Sequence, residues 1–247
     1  MEEYSYTKLT RFLECPMSYM RKYLNEEETE SHGITECGSF MHEIMEKYEK
    51  GELKKEELVP FFEKNFSMAV ISDTRLKISE DFSKDMYSLY YQGFLNYLTN
   101  FDGIPTCKKI IDVEKEFHIV YNDDFSITGK IDLVFKNEDD DLCVLDHKSK
   151  NKFKSKKEQR EYARQLYLYA WASKTLYGEY PKYLMFNMMR GNPIYIDFEE
   201  KDMYDTLQWF DDTVQEIRNT ITYDSHKENF VFCNNWCGLE HNELCDM

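Results

Sequence analysis

The stretch GKIDLVFKNEDDDLCVLDHKSKNK, residues 129–152, contains two apolar runs, each with an aspartate at one end, and a lysine two positions after the second aspartate. Both runs are rich in β-branched and aromatic residues, and NEDDD between them has the composition of a turn, so the stretch reads as a hairpin of two strands. Side chains alternate along a strand, which sends Asp146 and Lys148 to the same face. If the hairpin brings Asp132 beside Asp146, two carboxylates and an ammonium form a site for a hard divalent cation and an anionic substrate. The lysine would then hold a water or balance charge developing on a phosphate. Taken alone, a D-x-K tripeptide fits two surface strand ends equally well.

Working outward, SYTKLTRFLECPMSYMRKYL, GSFMHEIMEKYEKG, KKEELVPFFEKNFSMAV and SKDMYSLYYQGFLNYLTNF carry helical apolar spacing, with interruptions expected near Pro16 and Pro60. KKIIDVEKEFHIVY precedes the hairpin as a strand. EQREYARQLYLYAWASKTLYG reads as a long helix ending at Gly178, YPKYLMFNMMRGNPIYIDFE as two further strands, and KDMYDTLQWFDDTVQEIRNTI as a last helix. The pattern predicts an α/β fold with a central mixed sheet of about five strands flanked by helices. Without a repeat, a low-complexity tract or a linker, residues 1–247 are expected to form a single domain. Within it, 1–105 is a helical region carrying His42, 106–222 the core, and 223–247 a cysteine-rich tail.

Lys and Arg number 31 against 47 Asp and Glu, a net charge of −16 that argues against general attraction to nucleic acid. Residues 147–164, HKSKNKFKSKKEQREYAR, nevertheless hold eight Lys/Arg and two Glu, a local +6. Such a strip either confines polyanion contact to one groove or is a solvated loop. No stretch reaches the roughly 18 uncharged apolar residues of a membrane span, and MEEYSYTKLT has no signal-like apolar core, so a cytoplasmic protein with no membrane partner is expected. The odd count of seven cysteines does not suggest a disulfide framework. Three of them, Cys233, Cys237 and Cys245, crowd the C-terminal end.

Two further elements belong with the hairpin. His42 lies on a helix with Gly38 one turn earlier, where the backbone could approach the sheet. Gln165 and Tyr169, four apart in QLYLY, share a helix face directly after the D-x-K strand. Read in order, LTRFLECPMSYMRKYL, GSFMHE, GKIDLV, VLDHKSK, QLYLYA and the terminal cysteines resemble the PD-(D/E)XK nuclease superfamily. The nearest likeness is to its RecB-like exonuclease branch, which includes the AddB nuclease domain and the CRISPR adaptation nucleases. The resemblance runs from about residue 5 to residue 245, with Asp at the second acidic position, which the family pattern allows.

The resemblance implies a restriction-endonuclease-like core and a Mg²⁺- or Mn²⁺-dependent hydrolase acting on phosphodiester bonds of DNA, single-stranded or at duplex ends, in DNA processing, repair or recombination. Asp132 and Asp146 would bind the metal, assisted by His42 and the backbone carbonyl of His147. Lys148 would position the attacking water, and Gln165 and Tyr169 would orient the lysine or contact the DNA. A helicase, a recombinase or another DNA-processing protein would be the partner. Iron–sulfur members of the family hold a [4Fe–4S] cluster on one cysteine before a proline and three near the C-terminus, here Cys15, Cys233, Cys237 and Cys245. The spacing is C-x3-C-x7-C where the family commonly shows C-x2-C-x5-C. Four thiolates equally suit a Zn²⁺ site, and unliganded thiols are the third reading. The alternative from another class is a noncatalytic DNA- or partner-binding module that keeps the fold and a structural metal site.

Overall fold

The computed structural model describes residues 1–226, 228–240 and 245. At its centre, strand β5 (Phe125–Asn137) pairs with three others. One edge runs antiparallel to β4 (Cys107–Val120). The other edge is divided: β1 (Glu2–Tyr4) pairs parallel with Phe125–Ile127, and β6 (Leu142–Lys148) pairs antiparallel with Leu133–Lys136. Next to β6 lies β7 (Tyr183–Met188), parallel, and then β8 (Ile194–Asp197), antiparallel, which completes a mixed six-stranded sheet.

A parallel β6–β7 pair requires a crossover, and α6 (Lys156–Tyr177) supplies it. The Ser155 hydroxyl caps its start by accepting from the Glu158 N–H at 3.1 Å. Gly178 ends it at φ 80°, a left-handed conformation that glycine adopts without a Cβ penalty. With α1 (Tyr6–Glu14), α2 (Pro16–Tyr19) and α7 (Glu200–Asn219), α6 packs one apolar core on Ile127, Val134, Val144 and Phe186. On the opposite face α3 (Gly33–Glu49), α4 (Leu58–Ala69) and α5 (Tyr87–Thr99) pack a second core on Leu133, Phe135, Leu145 and Met185. Both faces being covered, β6 begins as an unbroken apolar run. Its alternation then carries Asp146 toward the α6 side and His147 toward the α3 side.

Gly129 has a specific use in this packing. A Cβ there would stand 2.6 Å from the Phe117 ring, which lies over the strand and meets Tyr169 edge-on at 6.2 Å.

The chain does break at Pro16, where Cys15 separates α1 from α2 and its sulfur accepts from the Ser18 N–H at 3.4 Å. Pro60 does not interrupt its helix. It lies in the first turn of α4, where a missing N–H leaves no carbonyl unpaired. Two features go beyond the sequence expectation: β1, and a small hairpin of β2 (Arg75–Lys77) and β3 (Ser83–Asp85). A short α8 (Phe230–Asn235) lies in the tail, where the Asn235 side chain bonds both the N–H and the carbonyl of Lys77. Among the described residues no helix is long and apolar enough to cross a membrane.

Candidate active site

Between its ladders to β1 and β6, the shared edge of β5 is left open from Thr128 to Asp132. Extending the Leu133–Leu145 register by one residue sets Asp132 opposite Asp146. On the other edge, the pairs Val113–Leu133 and Lys115–Ile131 bracket Asp132 against Glu114. Three neighbouring strands thus offer a carboxylate at one level of the sheet. Glu114 is held at φ 53°, a left-handed conformation that costs a non-glycine residue about 1–3 kcal/mol, and its carboxylate pairs with Lys130. From α3, His42 brings Nδ1 to 3.5 Å from Asp132 Oδ2. One ligand atom each from His42, Glu114 and Asp132 lies within 4.8 Å of the others. Gly38 lets α3 come this close: a Cβ there would meet the Ser149 hydroxyl at 3.3 Å.

Asp132 and Asp146 are both buried, and burial raises both carboxyls above their ordinary range, against the opposing pull of His147 and Lys148 on Asp132 and of Lys148 on Asp146. Burial, reinforced by the neighbouring His147, pushes the His42 imidazole well below its usual value, so it stands as the neutral form that ligates metals. Asp146 Oδ2 is fully enclosed and accepts no hydrogen bond of good geometry, although Lys148 Nζ lies 2.6 Å away as an ion-pair partner. A buried carboxylate oxygen left in this state has capacity for a cation.

Lys148 Nζ also donates to Gln165 Oε1 at 2.9 Å, and Gln165 Nε2 donates to the Tyr169 hydroxyl at 2.7 Å. Burial drives the Tyr169 phenol far above its ordinary value, so it stays protonated. At the mouth, Lys150 Nζ lies 4.2 Å from the centre of the Tyr162 ring and bonds Glu158 at 2.7 Å. Phe153 packs on Tyr162 and Phe186 at 5.3 and 5.1 Å between ring centres. Lys154, Lys156 and Lys157 of the basic strip are exposed.

The His147 ring turns away from the carboxylates. Its Nε2 meets Glu49 Oε1 at 2.9 Å and its Nδ1 meets Asn187 Nδ2 at 2.8 Å, while the same amide nitrogen reaches the Tyr97 hydroxyl at 2.7 Å. Burial opposes a charge on His147, but Glu49 outweighs it and raises the imidazole above its usual value. The backbone N–H of His147 donates to Asp132 Oδ2 at 2.7 Å.

A second site lies where the tail meets the N-terminal helices. Cys15, Cys233, Cys237 and Cys245 all line one cavity of about 170 Å³. The Cys15 and Cys237 sulfurs both contact Ser18, at 3.4 Å each. Arg21, almost wholly buried, reaches Cys245 Sγ at 3.2 Å and pairs with Glu27 at 2.6 Å. No three of these sulfurs lie within 4.8 Å of one another.

The fold therefore gathers His42, Asp132, Asp146, Lys148, Gln165 and Tyr169 in one place and the four terminal cysteines in another. Glu114 and Glu49 are additions. Glu114 could have been found by counting the β4–β5 pairing back from the turn at Asn122. Glu49 carries no local signal, because only tertiary packing takes it to His147.

In sequence, residues 3–245 match the PD-(D/E)XK nuclease superfamily. No curated protein matches the chain. In structure, the chain is similar to a candidate exonuclease of Eubacterium rectale, at 12% identity and a TM-score of 0.50 over 98% of this chain and 90% of that one. SSO0001 aligns at 14% identity and a TM-score of 0.41 over 97% of this chain and 88% of that one. A family match spanning nearly the whole chain, with the carboxylates, histidine and lysine gathered at one sheet edge, makes this protein a member of the PD-(D/E)XK nuclease superfamily.

Proposed function

We propose that the protein is a metal-dependent DNA nuclease, an exonuclease of the RecB-like kind, hydrolysing phosphodiester bonds at DNA ends or in single strands. The observation that carries this reading is the enclosed Asp146 Oδ2, met only by the Lys148 ammonium among the described residues, at the level of Asp132, Glu114 and His42. Asp132, Asp146, His42 and the His147 carbonyl would hold Mg²⁺ or Mn²⁺, with Glu114 at its edge. The cation supplies positive charge and Lewis acidity toward a phosphate oxygen. Lys148, held by Gln165, orients the attacking water and offsets charge on the phosphate. Tyr169 fixes the amide of Gln165 so that its oxygen faces the lysine. Lys150 and Tyr162 flank the way in, where a backbone phosphate and a base would pass.

The cysteine cavity is proposed to hold a [4Fe–4S] cluster on Cys15, Cys233, Cys237 and Cys245. Two arginines, Arg11 and Arg21, reach Cys237 and Cys245 and would face the anionic cluster.

The test is cleavage of end-labelled single- and double-stranded DNA by purified protein, with Mn²⁺ or with EDTA. Stepwise shortening with Mn²⁺ alone supports the reading. Binding without cleavage under every metal condition would leave a noncatalytic module instead.

A further inference from the structure

On the α3 side of the sheet, the odd-numbered positions of β6 are Cys143 and Leu145, both apolar and packed in the core. His147 is next, and there the core turns polar. Glu49 Oε1 and His147 Nε2 stand 2.9 Å apart, each side chain 1% exposed. Asn187, the register partner of His147 on β7, holds the other ring nitrogen and is held in turn by Tyr97 of α5. Two elements, α3 and β7, thus grip the imidazole of β6 directly behind the carboxylates, and α5 acts on it through Asn187.

Stability does not explain this arrangement. A buried pair of ionisable groups gains about as much as its desolvation costs, and apolar residues of similar volume commonly serve as well or better. Geometry does explain it. Successive side chains of a strand point to opposite faces, so clamping His147 from behind fixes the roll of β6 about its own axis and with it the aim of Asp146 and Lys148. The same clamp fixes the His147 N–H that holds Asp132 Oδ2.

We infer that the side chains of Glu49, His147, Asn187 and Tyr97 form a buried strut that positions the metal-binding carboxylates and the His147 backbone, the four side chains themselves touching neither metal nor substrate. The inference rests on the metal reading of Asp132 and Asp146. Glu49 and Asn187 act here as positioning residues.

The experiment is calorimetric titration of metal-free protein with Mn²⁺. The double variant Glu49→Leu/His147→Leu removes both partners together and should unfold at or above the wild-type temperature, yet bind Mn²⁺ about tenfold more weakly or worse, the loss usual when the support of a ligand is removed. On DNA, kcat should fall while KM is unchanged, since the entry residues are untouched. Glu49→Gln, which keeps the oxygen facing Nε2, should bind Mn²⁺ almost as wild type does. If the double variant fails to fold, Asn187→Ala, which leaves the Glu49–His147 pair in place, must weaken Mn²⁺ binding by itself. Wild-type Mn²⁺ affinity in the folded double variant, or in Asn187→Ala where only that one folds, would overturn the strut while leaving the metal site standing. Should Asp146→Asn bind Mn²⁺ as wild type does, the metal reading falls and the strut with it.

Discussion

Oδ2 of Asp146 and Nζ of Lys148 stand 2.6 Å apart on one face of β6, the carboxylate enclosed and the ammonium still in touch with solvent. The spacing follows from strand geometry, since residues two apart share a face and their charged ends can meet. The lysine compensates the carboxylate while remaining close enough to solvent to meet an incoming phosphate.

Lys148→Ala should therefore lower kcat with Mn²⁺ by about 10²–10³-fold, the range for removing one donor to developing charge. Circular dichroism and Mn²⁺ affinity should stay near wild type. Asp146→Ala should lose both turnover and Mn²⁺ binding. Wild-type turnover in either variant would remove the assigned site.

The raised carboxyls of Asp132 and Asp146 give the stability of the metal-free protein a definite sign. A carboxyl that binds its proton more tightly in the folded state stabilises the fold fully below its unfolded value, about 3.9, and that contribution is lost as pH rises through the folded value. Urea midpoints in EDTA should thus show Asp146→Asn gaining on wild type as pH climbs above about 4. Mn²⁺ should restore the wild-type midpoint and do little for the variant. A pH-independent difference in EDTA would mean that Asp146 titrates normally.

Replacing the exposed Lys154, Lys156 and Lys157 with Glu should weaken DNA binding and flatten its salt dependence, by roughly 0.7 to 0.9 in the log–log slope for each phosphate that a lysine no longer neutralises. Fluorescence anisotropy between low and moderate salt measures the slope directly. An unchanged slope would make the strip a solvated loop.

Protein purified without oxygen should be brown and carry about four irons per chain, and Cys15→Ser should bleach it and lower its unfolding temperature. Met17 N–H already bonds the Asp224 carbonyl and Arg21 the Glu240 carbonyl, so the cluster would add to existing ties between helices and tail. Colourless protein with one zinc would decide for the other metal.

Much of the site was legible in the sequence because strand and helix periodicities are local. Alternation placed Asp146 with Lys148, and a four-residue step placed Gln165 with Tyr169. Glu114 was hidden because its relevance depends on register across a hairpin, and Glu49 because its partner lies 98 residues away. β1 escaped for a similar reason: three residues with two glutamates become a strand only by pairing with β5 more than a hundred positions later. The tail cysteines showed their grouping but not their depth, since the cavity is shaped by α2 and by the buried Arg21.

The division of β5 between three neighbours also governs how the molecule comes apart. As the hub of the sheet, it cannot be released while β1, β4 or β6 stays in place, so its amides facing β6, an interior strand covered on both faces, should be among the slowest to exchange with solvent. The hairpin of β2 and β3, which pairs with no strand of that sheet and is tied instead to the tail through Asn235, can open without disturbing it. Asp132 thus belongs to the last segment to unfold, and partial opening at the periphery leaves that carboxylate in register.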